Sequence, residues 1–463
     1  MINPAIIREY DIRGIYNKTL TEKDAFLVGW SFAQALNKKS STVTLCRDGR
    51  LSSPALHAAL TEGLISGGTN VIDIGIGPTP MLYFSTFVND VDAGIMVTGS
   101  HNPSEYNGFK FIVGKAPFFG DDIKKLREIS ATYSDSYVCK KGTLSKKIIV
   151  DEYLSVLVDV CKDTKPMKIA WDAGNGAAGE VVEKLCKKLP GEHILLNTKI
   201  DGTFPVHHPD PTIVENLQQL ISVVVEKKCD LGIAFDGDGD RIGIIDDKGG
   251  VIWGDQLLSI LAKDILTRIP GAPIIADVKA SRVVFDLIKQ YGGQPVMWKT
   301  GHSNIKQHMK DIGSPLAGEM SGHIFIADQY YGYDDALYAG LRLIKILSDS
   351  EKKVSSILGD LPTAYNTPEL RIECDEDKKF LIISKLKEYF IKNKIPFDDI
   401  DGIRYSSNTG WGLIRASNTQ SVLVCRFEAS SRQEVEEQFF FMSKLLQQYD
   451  LVLSEEKLLV SCG

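Results

Sequence analysis

Two short runs carry the residue types for group-transfer chemistry. TGSHNP, from Thr98 to Pro103, sets Ser100 beside His101 directly after the apolar run VDAGIMV. That run is short, aliphatic and bounded by turn residues, which predicts a buried strand of a parallel sheet. Ser100 then falls in the loop at the carboxyl end of a strand, where open α/β sheets place ligand sites. Gly99 removes a side chain beside the hydroxyl, and Asn102-Pro103 turns the chain. DGDGDR, from Asp236 to Arg241, follows a second such run, LGIAF. Its aspartates alternate with glycines, so Asp236, Asp238 and Asp240 project to one side and can converge on a hard cation such as Mg²⁺. A hydroxyl and a tri-carboxylate loop together point to phosphoryl chemistry assisted by a divalent cation.

Each motif has a rival. An EF-hand calcium loop needs Gly at its sixth position, where Arg241 stands, and helices rather than strands on either side. A solvated acidic turn is the plain alternative, but three like charges so close repel without a counter-ion. GEMSGH, Gly318 to His323, offers an acceptor (Glu319), a donor-acceptor (Ser321) and a titratable ring (His323), which suits the hydroxyls of a sugar. A hairpin with polar tips would look the same. RASNTQ, between the strand-like GLI and SVLVCRFEA, supplies Arg415, Ser417, Asn418 and Thr419 as a cradle for a phosphate dianion, or a polar β-turn. Arg13, Lys110, Lys279 and His302 are individually weak signals, and adjacent His207 and His208 lack a third metal ligand. GNGAAG, Gly174 to Gly179, matches a dinucleotide fingerprint and would suggest an NAD-linked dehydrogenase. The ribose-binding acid expected about 20 residues on is missing; Asn197 and Thr198 stand there, so a tight strand-to-helix turn is the better reading. No G-x-S-x-G elbow or P-loop occurs.

Aliphatic runs alternate with longer amphipathic stretches through most of the chain, which implies βα units and largely parallel sheets. Length bounds the domain count at about three for 463 residues, at roughly 150 each. Composition shifts place breaks after 145, 248 and 362. Beyond the last break, strand, helix, short strands and a final helix read as an antiparallel α+β unit. The expected architecture is therefore α/β: three similar mixed α/β domains (1–145, 146–248, 249–362) around a central cleft, plus a smaller C-terminal α+β domain (363–463). These four would carry the serine, metal, sugar and phosphate loops in turn. A net charge of −7 argues against nucleic acid or an anionic membrane surface as partner. Eight scattered cysteines without a CxxC pair fit reduced thiols, and the first residues lack an apolar export segment, so a cytoplasmic protein is expected.

TGSHNP, DGDGDR, GEMSGH and RASNTQ, in this order, resemble the four signature loops of the α-D-phosphohexomutases. EYDIRG, DGTFPVHHPDP, DVKAS and TGHSNIK resemble that family too, and the likeness spans essentially the whole chain. GEMSGH is similar to the sugar loop of the phosphomannomutase/phosphoglucomutase branch; phosphoglucosamine mutases typically carry Gln where Met320 stands. Gly99 stands where relatives often have Ala, an exchange expected to change little.

The resemblance implies an isomerase of carbohydrate metabolism. It would move a phosphoryl group between O1 and O6 of mannose or glucose phosphates, through a phosphoserine and a hexose 1,6-bisphosphate that also serves as activator. Ser100 would be the phosphoserine, holding Mg²⁺ together with Asp236, Asp238 and Asp240. Arg13, His101, Lys110, Arg241 and His302 would line the reacting centre, with Lys110 and His302 for acid/base work. Tyr10 and Lys279 would assist substrate binding. Glu319 and Ser321 would hold O3 and O4 of the sugar, with His323 near the reacting end, while Arg415, Ser417, Asn418 and Thr419 would grip the distal phosphate. A monomer or weak homodimer is expected. Phosphoglucosamine mutase, an NAD-linked dehydrogenase and a non-catalytic sugar-phosphate-binding protein are the alternatives.

Overall fold

The computed structural model describes residues 1–463 except 39, 135, 137, 138, 351, 360, 361, 363, 408, 409, 418–420, 454–457, 459, 460 and 463. Among the described residues, four sheets succeed one another along the chain. The first three share one four-strand unit. In the first, Asn70–Ile76, Thr42–Arg47 and Ala93–Val97 run parallel, and Tyr106–Val113 adds to the last of them antiparallel. In the second, Gly191–Leu196, Met167–Asp172 and Leu231–Phe235 are parallel and Ile242–Ile245 antiparallel. In the third, Gln294–Trp298, Pro273–Asp277 and Leu316–Gly318 are parallel and Ile324–Ile326 antiparallel.

This shared topology fixes where the loops go. Parallel neighbours need a long crossover, whereas an antiparallel neighbour is reached through a short hairpin. TGSHNP, DGDGDR and GEMSGH occupy that same hairpin in the first, second and third units, at the carboxyl end of the last parallel strand. The strands before the first two, Ala93–Val97 and Leu231–Phe235, are buried at every residue, which is why they read as unbroken apolar runs.

Helices cover the sheets and are set by local signals. Thr21 and Asp24 form a reciprocal capping box at the start of Glu22–Ala35. Helix Ala336–Ser350 packs on helices Val150–Val160 and Gly254–Arg268 and on strand Ile242–Ile245, so the second and third units share a core. The seven cysteines described are free, and among the described residues no helix is long and apolar enough to cross a membrane.

The fourth sheet is wholly antiparallel, with Ile403–Ser406, Gly410–Ala416 and Val422–Ala429 at its centre. Helices Glu376–Lys392 and Arg432–Gln447 pack on it around their own apolar core. Two expected breaks fall inside sheets. Leu144–Lys146 pairs with Asn70–Ile76 and so straddles the break after 145. Val251–Ile252 pairs with Ile242–Ile245, so the second sheet continues past 248. Both strands are two or three residues long, too short to show periodicity.

Candidate active site

The serine loop is held from beneath by Asp48 and Arg50. Asp48 Oδ2 accepts from Thr98 Oγ1 at 2.8 Å and from the Gly99 amide at 3.1 Å. Arg50, fully buried, donates from Nη2 to the carbonyls of Ser100 (2.7 Å) and Asn102 (2.6 Å), and from Nη1 to that of Tyr106 at 3.0 Å. Ser100 sits at φ +50°, a left-handed conformation that costs a non-glycine residue energy and persists only under such bracing. Its Oγ lies 3.2 Å from His101 Nδ1. Asp48 and Arg50 went unremarked in the sequence, although CRDGR ends an apolar run as the recognised loops do.

A hydrogen bond of 3.1 Å from Ser100 Oγ to Asp236 Oδ2 joins the first loop to the second. The ligand oxygens of Asp236, Asp238 and Asp240 all lie within 4.8 Å of one another, and all three residues are fully buried. Burial and the neighbouring carboxylates push Asp236 well above the usual carboxylate range, and Asp240 also upward. Burial acts on Asp238 too, but Lys110 and Thr79 outweigh it and bring its pKa down to about 2. Among the described residues, Asp238 Oδ1 and Asp240 Oδ1 have no hydrogen-bond partner. Orphaned, buried carboxylate oxygens converging on one point fit a hard divalent cation. Lys110 does not face the cavity as a free base. Its ammonium donates to Asp238 Oδ2 at 2.8 Å and to Asp240, and these carboxylates hold its pKa well above 10.5 against the effect of burial.

Above these groups opens a cavity of about 1020 Å³ lined by all four units. The first contributes Tyr10, Arg13 and His101, and the second Arg241. The third gives Lys279, His302, Glu319, Ser321 and His323, and the fourth Arg415 and Ser417. Ser100, Lys110 and the three aspartates are buried, with Ser100 next in sequence to His101 and Asp240 next to Arg241 of that lining. Asn418 and Thr419 lie outside the described residues. Arg13, Arg241, Lys279, Arg371, Arg415 and Arg426 thus face one cavity in a chain of negative net charge. Arg13 Nη1 donates to Asn102 Oδ1 at 2.6 Å, tying the guanidinium to the serine loop. Ser321 Oγ donates to Glu319 Oε2 at 2.9 Å, so the two expected sugar ligands already form a pair. Arg415 Nε donates to Asp401 Oδ2 at 3.0 Å, and the same oxygen accepts from the Thr300 amide at 3.1 Å. Lys279 Nζ donates to Glu369 Oε1 at 2.6 Å, a second link between the third and fourth units.

The histidines share a buried partner that the sequence did not announce. Asp334 Oδ2 lies 3.0 Å from His323 Nδ1 and 3.8 Å from His302 Nδ1, and Asp334 Oδ1 accepts from Lys306 Nζ at 2.9 Å. Burial, then Lys306, depresses His302 well below 6.5, which keeps its imidazole neutral. Burial and the flanking arginines do the same for His101.

GNGAAG serves packing rather than a dinucleotide. A Cβ at Gly179 would stand 1.8 Å from the Thr198 carbonyl oxygen, and one at Gly176 would stand 2.8 Å from that of Gly237. The Ala177 amide donates to the Gly237 carbonyl at 2.9 Å, so this turn buttresses the aspartate loop. His207 is engaged by Asp172, whose Oδ2 lies 2.9 Å from its Nε2.

Comparison with known proteins agrees with this geometry. The models of phosphoglucomutase/phosphomannomutase α/β/α domains I, II and III match residues 5–136, 151–250 and 253–365, and that of the C-terminal domain matches 369–443. A phosphomannomutase/phosphoglucomutase of Pseudomonas putida is 44% identical over 433 residues, covering 93% of each chain. A phosphoglucomutase of Neisseria meningitidis serogroup A is 44% identical over 437 residues, covering 93% of this chain and 94% of its own. The crystal structure of a phosphoglucomutase/phosphomannomutase family protein from Burkholderia thailandensis superposes with a TM-score of 0.89 at 39% identity, covering 97% and 98% of the two chains. The chain belongs to the phosphoglucomutase/phosphomannomutase family.

Proposed function

We propose that this chain is a phosphohexomutase that moves a phosphoryl group between O1 and O6 of mannose and glucose phosphates. The observation that carries the reading is Ser100 Oγ, 3.1 Å from Asp236 Oδ2 and next to His101 of a cavity lined by cations from every unit. In the resting enzyme Ser100 carries the phosphoryl group. Asp236, Asp238 and Asp240, with an oxygen of that phosphoserine, hold Mg²⁺, which when bound offsets charge on the transferring group. Arg13 and Arg241 flank the same group and stabilise its equatorial oxygens as the bond to Oγ lengthens. Lys110, held as an ammonium by Asp238 and Asp240, is the candidate acid, and His302 the candidate base. The sugar hydroxyl loses its proton to His302 as its oxygen bonds to phosphorus, and the Lys110 ammonium gives a proton to Ser100 Oγ as the P–Oγ bond breaks.

The product of this half-reaction is a hexose 1,6-bisphosphate, which turns end for end and returns its other phosphoryl group to Ser100. Glu319 and Ser321 hold O3 and O4, groups that nearly exchange places in the turn. Arg415, Ser417, Asn418 and Thr419 hold whichever phosphate is not reacting, and Tyr10, Lys279, His101 and His323 complete the wall. Bisphosphate that escapes leaves an unphosphorylated serine, so added hexose 1,6-bisphosphate acts as activator.

The test is Ser100→Ala in the full chain with Mg²⁺. Turnover of mannose 1-phosphate and glucose 1-phosphate should vanish while both remain bound. Incubation of the unaltered chain with glucose 1,6-bisphosphate should add one phosphoryl group to Ser100 by intact and peptide mass. Turnover surviving in the variant overturns the reading.

A further inference from the structure

We infer that Asp401 is the positioning residue that aims the Arg415 guanidinium at the phosphate that is not reacting; this deepens the reading above and rests on its assignment of Arg415. Asp401 and Gly402 form the turn that leads into strand Ile403–Ser406, and Arg415 stands near the end of its antiparallel neighbour, Gly410–Ala416. Gly402 is at φ +90°, and a Cβ there would lie 2.4 Å from the Ile414 carbonyl oxygen and 2.7 Å from Arg415 Cβ. Only glycine allows the turn to press this closely on the arginine. The Asp401 carboxylate is thereby brought to Arg415, and its Oδ2 accepts from Nε at 3.0 Å.

Which nitrogen Asp401 takes decides what the arginine can do. Among the described residues, Nε makes the one hydrogen bond of this side chain, so both Nη groups keep their N–H donors for a ligand. A guanidinium grips a phosphate through two parallel N–H donors, and a partner on Nε fixes the plane of that fork. Asp401 is itself held across the boundary between units. The same Oδ2 accepts from the Thr300 amide at 3.1 Å. The Thr300 carbonyl accepts from the Tyr10 hydroxyl at 3.0 Å, and the next amide, that of Gly301, donates to Glu319 Oε1 at 2.9 Å. One stretch of third-unit backbone therefore joins the carboxylate behind the phosphate arginine to the carboxylate of the sugar pair. Short hydrogen bonds set the spacing between the two grips, and such positioning is what a bound sugar phosphate needs at both ends. Thr300, Gly301, Glu319 and Arg415 line the cavity, whereas Asp401 does not. Asp401 stands behind the wall and acts through Arg415.

The experiment follows turnover of glucose 1-phosphate by the full chain with Mg²⁺ and glucose 1,6-bisphosphate. A phosphate that does not react is held alike in the ground and transition states, so a lost aim raises KM and spares kcat. Asp401→Ala should raise KM by about 10- to 100-fold, the size of a lost charge-assisted hydrogen bond, with kcat changed less than about threefold. Asp401→Asn keeps the size and one acceptor oxygen, and its KM should fall between the two; it carries the same comparison where Asp401→Ala does not fold. The double variant with Arg415→Ala should have the KM of Arg415→Ala alone, because the group through which Asp401 acts is already gone. An unchanged KM in the Asp401 variants, a loss confined to kcat, or full addition of the two losses overturns the inference. Calorimetric binding of glucose 1-phosphate to Ser100→Ala chains, with and without the Asp401 change, repeats the comparison without turnover. An unaltered chain without mutase turnover sinks the functional reading instead, and the calorimetric comparison still decides the role of Asp401.

Discussion

Arg50 fills the volume that a side chain at residue 99 would need. A Cβ on Gly99 would lie 2.5 Å from Arg50 Nε and 2.6 Å from its Cζ, with the Tyr106 carbonyl oxygen at 2.7 Å. The same guanidinium gathers the carbonyls of Ser100 and Asn102. Glycine and arginine are thus two halves of one brace under the serine. Read in sequence alone, Gly99 passes as a neutral alternative to Ala, and the packing overturns that expectation.

Gly99→Ala should therefore lower both stability and turnover. Overpacking of a filled site typically costs about 1–3 kcal/mol. Displacement of Arg50 would free the loop carbonyls, and turnover should fall by about tenfold. Thermal denaturation and steady-state kinetics on the same preparation check this; an unchanged melting temperature together with unchanged turnover would mean that Arg50 moves aside without consequence.

Added Mg²⁺ should stabilise the folded chain through the aspartate loop. A ligand that binds only the native state contributes about 2.7 kcal/mol at a concentration 100 times its Kd. The melting temperature should rise with Mg²⁺ and return on chelation, in step with turnover. Asp238→Asn should abolish most of that rise, since Asp238 Oδ1 is one of the orphaned oxygens awaiting a partner.

Much of this arrangement was legible in the residues. Alternating aspartates, the serine after an apolar run and the Glu319, Ser321 and His323 set each marked a hairpin at a strand end. The topology explains why three of them coincide in space: each occupies the same turn of a repeated four-strand unit. Partners that act through packing left no such trace. Arg50, Asp334 and Lys306 belong to ordinary-looking charged stretches, and their importance lies in burial against distant residues. GNGAAG misled in a related way, because glycines admitting a close backbone and glycines admitting a pyrophosphate are spelled alike.

Proton uptake by His302 should be absent over the range where free histidines titrate. Its pKa lies well below 6.5, through burial and then Lys306. A base must be neutral to act, so kcat/KM should hold steady as pH falls through 6.5 and decline only further down. The linked stability has the matching sign. Below 6.5 the unfolded chain binds a proton that the folded site refuses, so stability is lost as pH falls. Denaturation midpoints measured against pH should show this slope, and His302→Gln should reduce it.

Discrimination at C2 of the sugar should be slight for neutral substituents and marked for a charged one. Glucose and mannose differ only there, while the Glu319–Ser321 pair, 2.9 Å apart, is suited to O3 and O4. The kcat/KM values for glucose 1-phosphate and mannose 1-phosphate should agree within about tenfold, a difference of about 1.4 kcal/mol. Glucosamine 1-phosphate brings an ammonium into a cavity already lined by Arg13, Arg241, Lys279 and Arg415, and like charges repel. Its kcat/KM should be lower than either. Glu319→Gln should weaken both neutral sugars alike, by roughly 10- to 100-fold in kcat/KM, the size of a lost charge-assisted hydrogen bond. A variant that instead separated glucose from mannose would place Glu319 at C2 and reverse the assignment of the sugar's orientation.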